Sequence, residues 1–116
     1  HLNPNGLFIF DANTQYGLDE KIRAAPQALE FDGGTFVLDV VDAGRGAAEF
    51  RLKIFEQERG AKYRLHAESI TEVAFSRDRI RAASNKDFRR VHCFDAQAGW
   101  SRPNNRSRKL YWVCLA

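Results

Sequence analysis

The sequence predicts an α+β fold: a single α-helix packed on a curved antiparallel β-sheet, with a short N-terminal strand in front. Three observations predict it. Only residues 18–29 carry helical periodicity, with Leu18, Ile22, Ala25 and Leu29 on one apolar stripe. A short apolar run at 7–11 (LFIFD) precedes it. Most of the chain beyond residue 35 alternates with period two between breaks that hold Gly or Asn, as half-buried strands do.

Each element has its own local reason. Residues 12–17 (ANTQYG) form a turn that brings Tyr16 to the helix. Gly17 and Asp19 suit a helix start by cap and dipole preference. Pro26 removes a backbone donor and predicts a kink or an early stop. Asp32-Gly33-Gly34 is a break. Residues 36–41 (FVLDVV) and 49–55 (EFRLKIF) are strands, with Phe36, Leu38 and Val40, and Phe50, Leu52 and Ile54, on their apolar faces. Residues 63–68 (YRLHAE) pair with the second of these, 50 with 67, 52 with 65 and 54 with 63, which gathers Tyr63 and Leu65 with Phe50, Leu52 and Ile54. Strands at 71–75, 79–83 and 88–94 continue the sheet. A polar loop at 96–108 leads to the last strand at 109–115 (KLYWVCL).

A chain of 116 residues is one domain with enough length for a core, and nine Phe enrich it. No apolar run approaches the ~18 residues that span a bilayer, so no membrane insertion is expected. The first residues show no signal-peptide pattern. An N-terminal His such as His1 is a potential copper ligand, but no partner set accompanies it, and neither metal nor cofactor is expected. Residues 1–50 hold three Lys/Arg against eight Asp/Glu (net −5), and residues 51–116 hold fifteen against seven (net +8). The basic second part suggests an anionic partner, RNA or a membrane surface, or simply a solvated face.

Cys93 and Cys114 do not have zinc spacing. If 89–95 and 108–115 form a hairpin, Val91 and Cys93 share a face with Trp112 and Cys114. A disulfide there is the expectation, worth ~3 kcal/mol by chain entropy and implying secretion; two buried free thiols are the alternative.

The polar face of 49–55 and 63–68 offers chemistry. Glu49 is placed to take a proton, His66 or His92 to give one, and Arg51, Arg64 or Arg79 to hold a phosphate, which is the equipment for attack of a ribose 2′-hydroxyl on its phosphate. A salt-bridged surface explains the same residues. Trp100, among Arg102, Pro103, Arg106 and Arg108, suits base stacking, a protein contact, or packing onto the sheet edge.

Residues 8–25 (FIFDANTQYGLDEKIRAA) resemble the opening of the small secreted fungal guanyl-specific ribonucleases, with Phe10 at the family's Cys, Tyr16 at its Tyr, and Ile22-Arg23-Ala24-Ala25 in its helix. Glu49-Phe50 resembles the strand of the catalytic Glu, Asp78-Arg79-Ile80 that of the catalytic Arg, and Tyr111-Trp112-Val113-Cys114 the closing strand. Leu38 stands where that family has a catalytic His, and Leu exchanges no proton. A scaffold without its catalytic groups is similar to the ribonuclease-like effectors of powdery mildews and other plant-pathogenic fungi. This resemblance implies a secreted, monomeric virulence protein acting inside host cells on a host protein, an immune receptor or RNA. Arg51, Lys53, Arg64, Arg90, Trp100, Arg102, Arg106 and Arg108 are its expected contact residues. The alternatives are an active endoribonuclease for single-stranded RNA using Glu49, His66 or His92, and Arg79, and a module that binds no nucleic acid.

Overall fold

The computed structural model describes residues 2–116, so His1 lies outside the described residues. In chain order the elements are β1 (Leu7–Asn13), α1 (Gln15–Arg23), β2 (Gln27–Phe31), β3 (Gly34–Gly44), β4 (Ala47–Gln57), β5 (Tyr63–Val73), α2 (Arg77–Ser84), β6 (Arg90–Asp95) and β7 (Lys109–Leu115). Among the described residues there are thus two helices, and the strands form two antiparallel sheets, not one. The chain divides into two compact units, residues 1–18 with 74–116, and residues 19–73.

The first unit holds the three-stranded sheet, in the order β1-β7-β6. Alternation along β7 turns Leu110, Trp112 and Cys114 to one face, and all three are buried. Register brings Phe10 opposite Trp112 on one side and Cys93 opposite Trp112 on the other. Val91 completes the buried cluster, with Phe10, Ala12, Ile80, Phe88 and Cys93 packed around it. Helix α2 begins at Ser76, whose side chain accepts from the Arg79 N–H at 3.3 Å. Asp78 stands in its first turn, where the helix dipole favours a carboxylate.

Residues 79–83 are therefore helical, not a strand. Five residues of Arg, Ile and Ala show no decisive period, while Ala and Arg are good helix formers and Ser76 caps them. The N-terminal helix is also shorter than its apolar stripe suggests. It starts three residues before Leu18, because the Thr14 hydroxyl accepts from the Gly17 N–H at 3.0 Å as an N-cap. It ends at Arg23, before Pro26, the early stop that proline predicts. Leu29 belongs to β2, paired with Phe36. Asp32 and Gly33 form a two-residue hairpin turn between β2 and β3, with Gly33 at φ 91°.

The second unit holds the four-stranded sheet, in the order β2-β3-β4-β5. Its apolar face presents Phe36, Leu38 and Val40 of β3 and Phe50, Leu52 and Ile54 of β4, with Val40, Ala48 and Phe50 buried. The Lys21 ammonium lies 5.6 Å from the centre of the Phe50 ring. The β4–β5 register departs from the sequence expectation by three residues: Phe50 faces Ile70, Leu52 faces Glu68 and Ile54 faces His66. The reason is strand length. The segments at 63–68 and 71–75 fuse into one eleven-residue β5 that matches the eleven residues of β4. An odd shift turns every side chain to the other face.

The two cysteines are free thiols, which corrects the expected bridge. The predicted hairpin forms, and the two cysteines share a face, but Cys114 lies opposite Val91 and Cys93 opposite Trp112. A diagonal pair leaves the Cβ atoms well beyond the ~3.8 Å that a disulfide needs. Burial raises both thiol pKa values above the usual cysteine range.

Candidate functional site

Three polar constellations stand out. The first lies on the β4–β5 part of the four-stranded sheet, on the face opposite Phe50. Arg51 faces Asp39 of β3 and Ser69 of β5 in one cross-strand row. Its guanidinium donates to Glu49 at 2.8 Å, and the Ser69 hydroxyl donates to the other Glu49 oxygen at 2.5 Å. Arg51 first, then Ser69, hold the Glu49 carboxyl below the usual carboxylate range, and Glu49 raises Arg51 in return. A carboxylate in this state accepts hydrogen bonds from a hydroxyl or an amine, and it is a weaker proton acceptor than an ordinary Glu.

The second lies across the same sheet. His66 Nε2 is 2.9 Å from Glu56, and Arg64 is 2.6 Å from Glu58. The flipped register of β5 puts these residues, with Glu68, on the face of Ile54 and Leu52. Glu49 and His66, expected together, thus stand on opposite faces of one sheet. Arg79 lies on α2, its guanidinium 4.6 Å from the Phe75 ring, and His92 lies on β6, 6.3 Å from the Phe94 ring. Both belong to the other unit. Of the expected proton relay, Glu49 and His66 thus stand on different faces of one sheet, and Arg79 and His92 stand on different elements, α2 and β6, of the other unit.

The third organises the loop between β6 and β7. Buried Asp95 accepts from the N–H groups of Gln97 (2.8 Å) and Ala98 (3.1 Å) and from the Ser107 hydroxyl. Ser107 Oγ also accepts from the Asn104 N–H at 3.0 Å. In this frame Trp100, at φ 65°, stacks on Tyr111 at 5.2 Å and meets Phe94 edge-on at 5.5 Å. Its ring packs on the sheet and stays half exposed. Arg102, Arg106 and Arg108 follow in the loop, and the Thr14 N–H donates to the Arg108 carbonyl at 3.0 Å. Arg90 starts β6 opposite Leu115, and Lys53 sits between Val37 and Ala67. Asp95, Ser107 and Thr14 escaped the sequence reading; Asp at a strand end with free N–H groups two and three residues on was the available signal.

The Ser107 hydroxyl, ahead of the Gln97 and Ala98 N–H groups, lowers the Asp95 pKa below its ordinary value. A carboxyl depressed in the folded state stabilises the fold above the unfolded value, near pH ~4, and loses that contribution as pH falls through the folded value. Asp95→Asn is thus expected to melt below wild type at pH 7, with the gap closing under about pH 4. Thermal melts of both proteins from pH 7 to about pH 2 read this directly; a gap independent of pH contradicts it.

Among the described residues no group of three His, Cys, Asp or Glu side chains is placed to hold a metal ion. Among the described residues, no helix is long and apolar enough to cross a membrane.

No protein-family model matches the chain, and no curated protein matches it. Among solved structures it is similar to an S-adenosylmethionine-dependent methyltransferase from Clostridium acetobutylicum ATCC 824, with TM-score 0.76 and 16% identity over 99% of this chain. CalS10, an amino pentose methyltransferase from Micromonospora echinaspora, aligns over 98% of this chain with TM-score 0.49 and 13% identity. The chain spans 46% of the length of each. The likeness is one of fold. Together with the second helix and the second sheet, it overturns the ribonuclease-like reading and with it the fungal effector and virulence function. Helix α2 replaces the strand that carried the resemblance at Asp78-Arg79-Ile80, and the fold of the chain is the one it shares with that part of the Clostridium acetobutylicum structure.

Proposed function

We propose that the chain forms the acceptor-handling part of a SAM-dependent methyltransferase whose cofactor is held by polypeptide outside these 116 residues. The observation that carries this reading is the likeness over nearly the whole chain to just under half of a methyltransferase.

The residues present do not fit the cofactor itself. A nucleotide-like cofactor takes a glycine-rich turn that runs from a strand into a helix, with backbone N–H groups aimed at it. Here β1 enters α1 through Thr14, and Gly17 is pressed against the Arg108 backbone. The glycines with positive φ (Gly33, Gly44, Gly46, Gly60 and Gly99) lie at the end of β3 or in the connections between paired strands.

The chain does offer groups that suit an acceptor. Transfer to oxygen or nitrogen needs the nucleophile oriented and water held away. Glu49, fixed by Arg51 and Ser69, accepts a hydrogen bond from a hydroxyl or amine in one orientation. The open edge of β1 supports a larger assembly. Leu7, Phe8 and Ile9 are about half exposed on a terminal strand, and soluble proteins normally cover or charge such an edge.

Calorimetric titration of SAM into this chain and into the complete gene product tests the proposal. The complete product is expected to bind SAM and the 116 residues alone to bind none. In a methyl-transfer assay Glu49→Gln is expected to raise the acceptor KM about tenfold with kcat little changed, as loss of a positioning contact does. A complete gene product that binds no SAM overturns the reading.

A further inference from the structure

Strand β5 ends its sheet, and its outer edge has charged side chains, Arg64, Glu68 and Glu72, but no shortening, bulge or proline to protect it. Every residue of Tyr63–Val73 except Glu72 is exposed, including Tyr63, Leu65, Ile70 and Val73. Soluble proteins blunt edge strands with short length, charged side chains, bulges or proline. β5 has eleven residues and no proline, and its ladder with β4 runs without a register shift.

The hydrogen-bond parity shows which groups point outward. The Glu58 N–H donates to the Lys62 carbonyl at 2.8 Å on the β5 side, while the Gln57 N–H donates to the Gly33 carbonyl at 2.6 Å on the β3 side. Backbone groups alternate sides along an antiparallel strand. Even-numbered residues of β5 therefore bond to β4, and the N–H and C=O groups of Tyr63, Leu65, Ala67, Ser69 and Thr71 turn outward.

We propose that β5 is a self-association edge, where a second copy of this chain pairs antiparallel about a two-fold axis at Ala67 and joins two four-stranded sheets into one of eight. About that point no like charges meet, Arg64 lies opposite Ile70, and the charge complementarity comes from His66 and Glu68. Ala67 meets Ala67 on the axis, and on either side His66 faces Glu68, Leu65 faces Ser69 and Tyr63 faces Thr71. His66, already 2.9 Å from Glu56, gains a second carboxylate neighbour. An axis one residue later sets two Glu68 carboxylates against each other with Cα atoms about 4.5 Å apart, which like charges disfavour. The Ala67 axis makes the same patch serve both copies, so the contact closes at two chains and does not run on into a filament.

Analytical ultracentrifugation of the 116-residue chain over a concentration series tests this. Wild type is expected to sediment as a concentration-dependent dimer. Ala67→Pro removes only an outward N–H, so the β4–β5 ladder survives while dimer affinity falls at least about tenfold. Leu65→Lys puts a charge on the edge and is expected to do the same, with the circular dichroism spectrum of both variants unchanged. A wild-type chain that stays monomeric at its highest soluble concentration overturns the proposal. So does a dimer that both variants leave intact, which assigns the contact to another surface such as the edge of β1.

Discussion

Gly17→Ala is expected to unfold the protein or to lower its melting temperature by roughly 10–20 °C. A Cβ at this position lies 2.1 Å from the Arg108 carbonyl oxygen, 2.8 Å from its carbon and 3.0 Å from its Cα. All three are backbone atoms, so no side chain is able to swing aside. The Arg108 backbone is itself held: its carbonyl accepts from the Thr14 N–H at 3.0 Å, and the Ser107 carbonyl accepts from the Thr14 hydroxyl at 2.6 Å. Helix propensity alone predicts the opposite sign, since Ala is favoured over Gly by ~1 kcal/mol inside a helix. Overpacking against fixed backbone costs about 3 kcal/mol or more and decides the outcome. Urea denaturation of wild type and Gly17→Ala measures the difference, and a stabilised variant refutes the close approach.

Trp112→Ala is expected to cost about 3–5 kcal/mol, the range for deleting a large buried aromatic. The Trp112 side chain is fully buried in the middle of β7, stacked on Phe10 at 6.2 Å and with the Arg81 guanidinium 5.7 Å from its ring. Its Nε1–H is buried without a hydrogen-bond partner among the described residues. An unpaired buried donor costs roughly 1–3 kcal/mol. Trp112→Phe, which removes that donor along with part of the ring, is therefore expected to lose no more than about half of the Ala penalty. Equilibrium unfolding of the two variants gives the ratio; equal losses show that Nε1 has a partner, or that ring volume alone sets the stability.

The polar sites bear differently on stability. Glu49, Arg51 and Ser69 sit on an exposed face, where an ion pair contributes little to folding. Their ordered geometry matters for what they are able to bind. Asp95 is buried, and its three donors come from residues 97, 98 and 107, so it ties both ends of a long loop to one carboxylate.

Much of the strand content was legible in the chain. Leu110, Trp112 and Cys114 alternate with Lys109, Tyr111 and Val113, and the structure buries the first set in β7. The β6–β7 hairpin and the shared face of Cys93 and Trp112 came from the same alternation. The stop before Pro26 came from a missing donor. The polar constellation was legible in its members and not in its layout, because the β5 face flipped with its register. Arg79 was misplaced because residues 79–83 lie near balance between helix and strand, and Ser76 tips them only once its side chain closes on the Arg79 N–H.

By itself the sequence determined the strands β1, β3, β4 and β7 in outline and, within each strand, which residues share a face, since alternation is a local consequence of the pleat. Only the tertiary structure decided the three-residue register of β5, the free state of Cys93 and Cys114, the division of the described strands into two sheets, and the contact that requires Gly17. Each of these depends on which distant segment lies alongside, and pairing energy between distant segments leaves no periodic trace in either one.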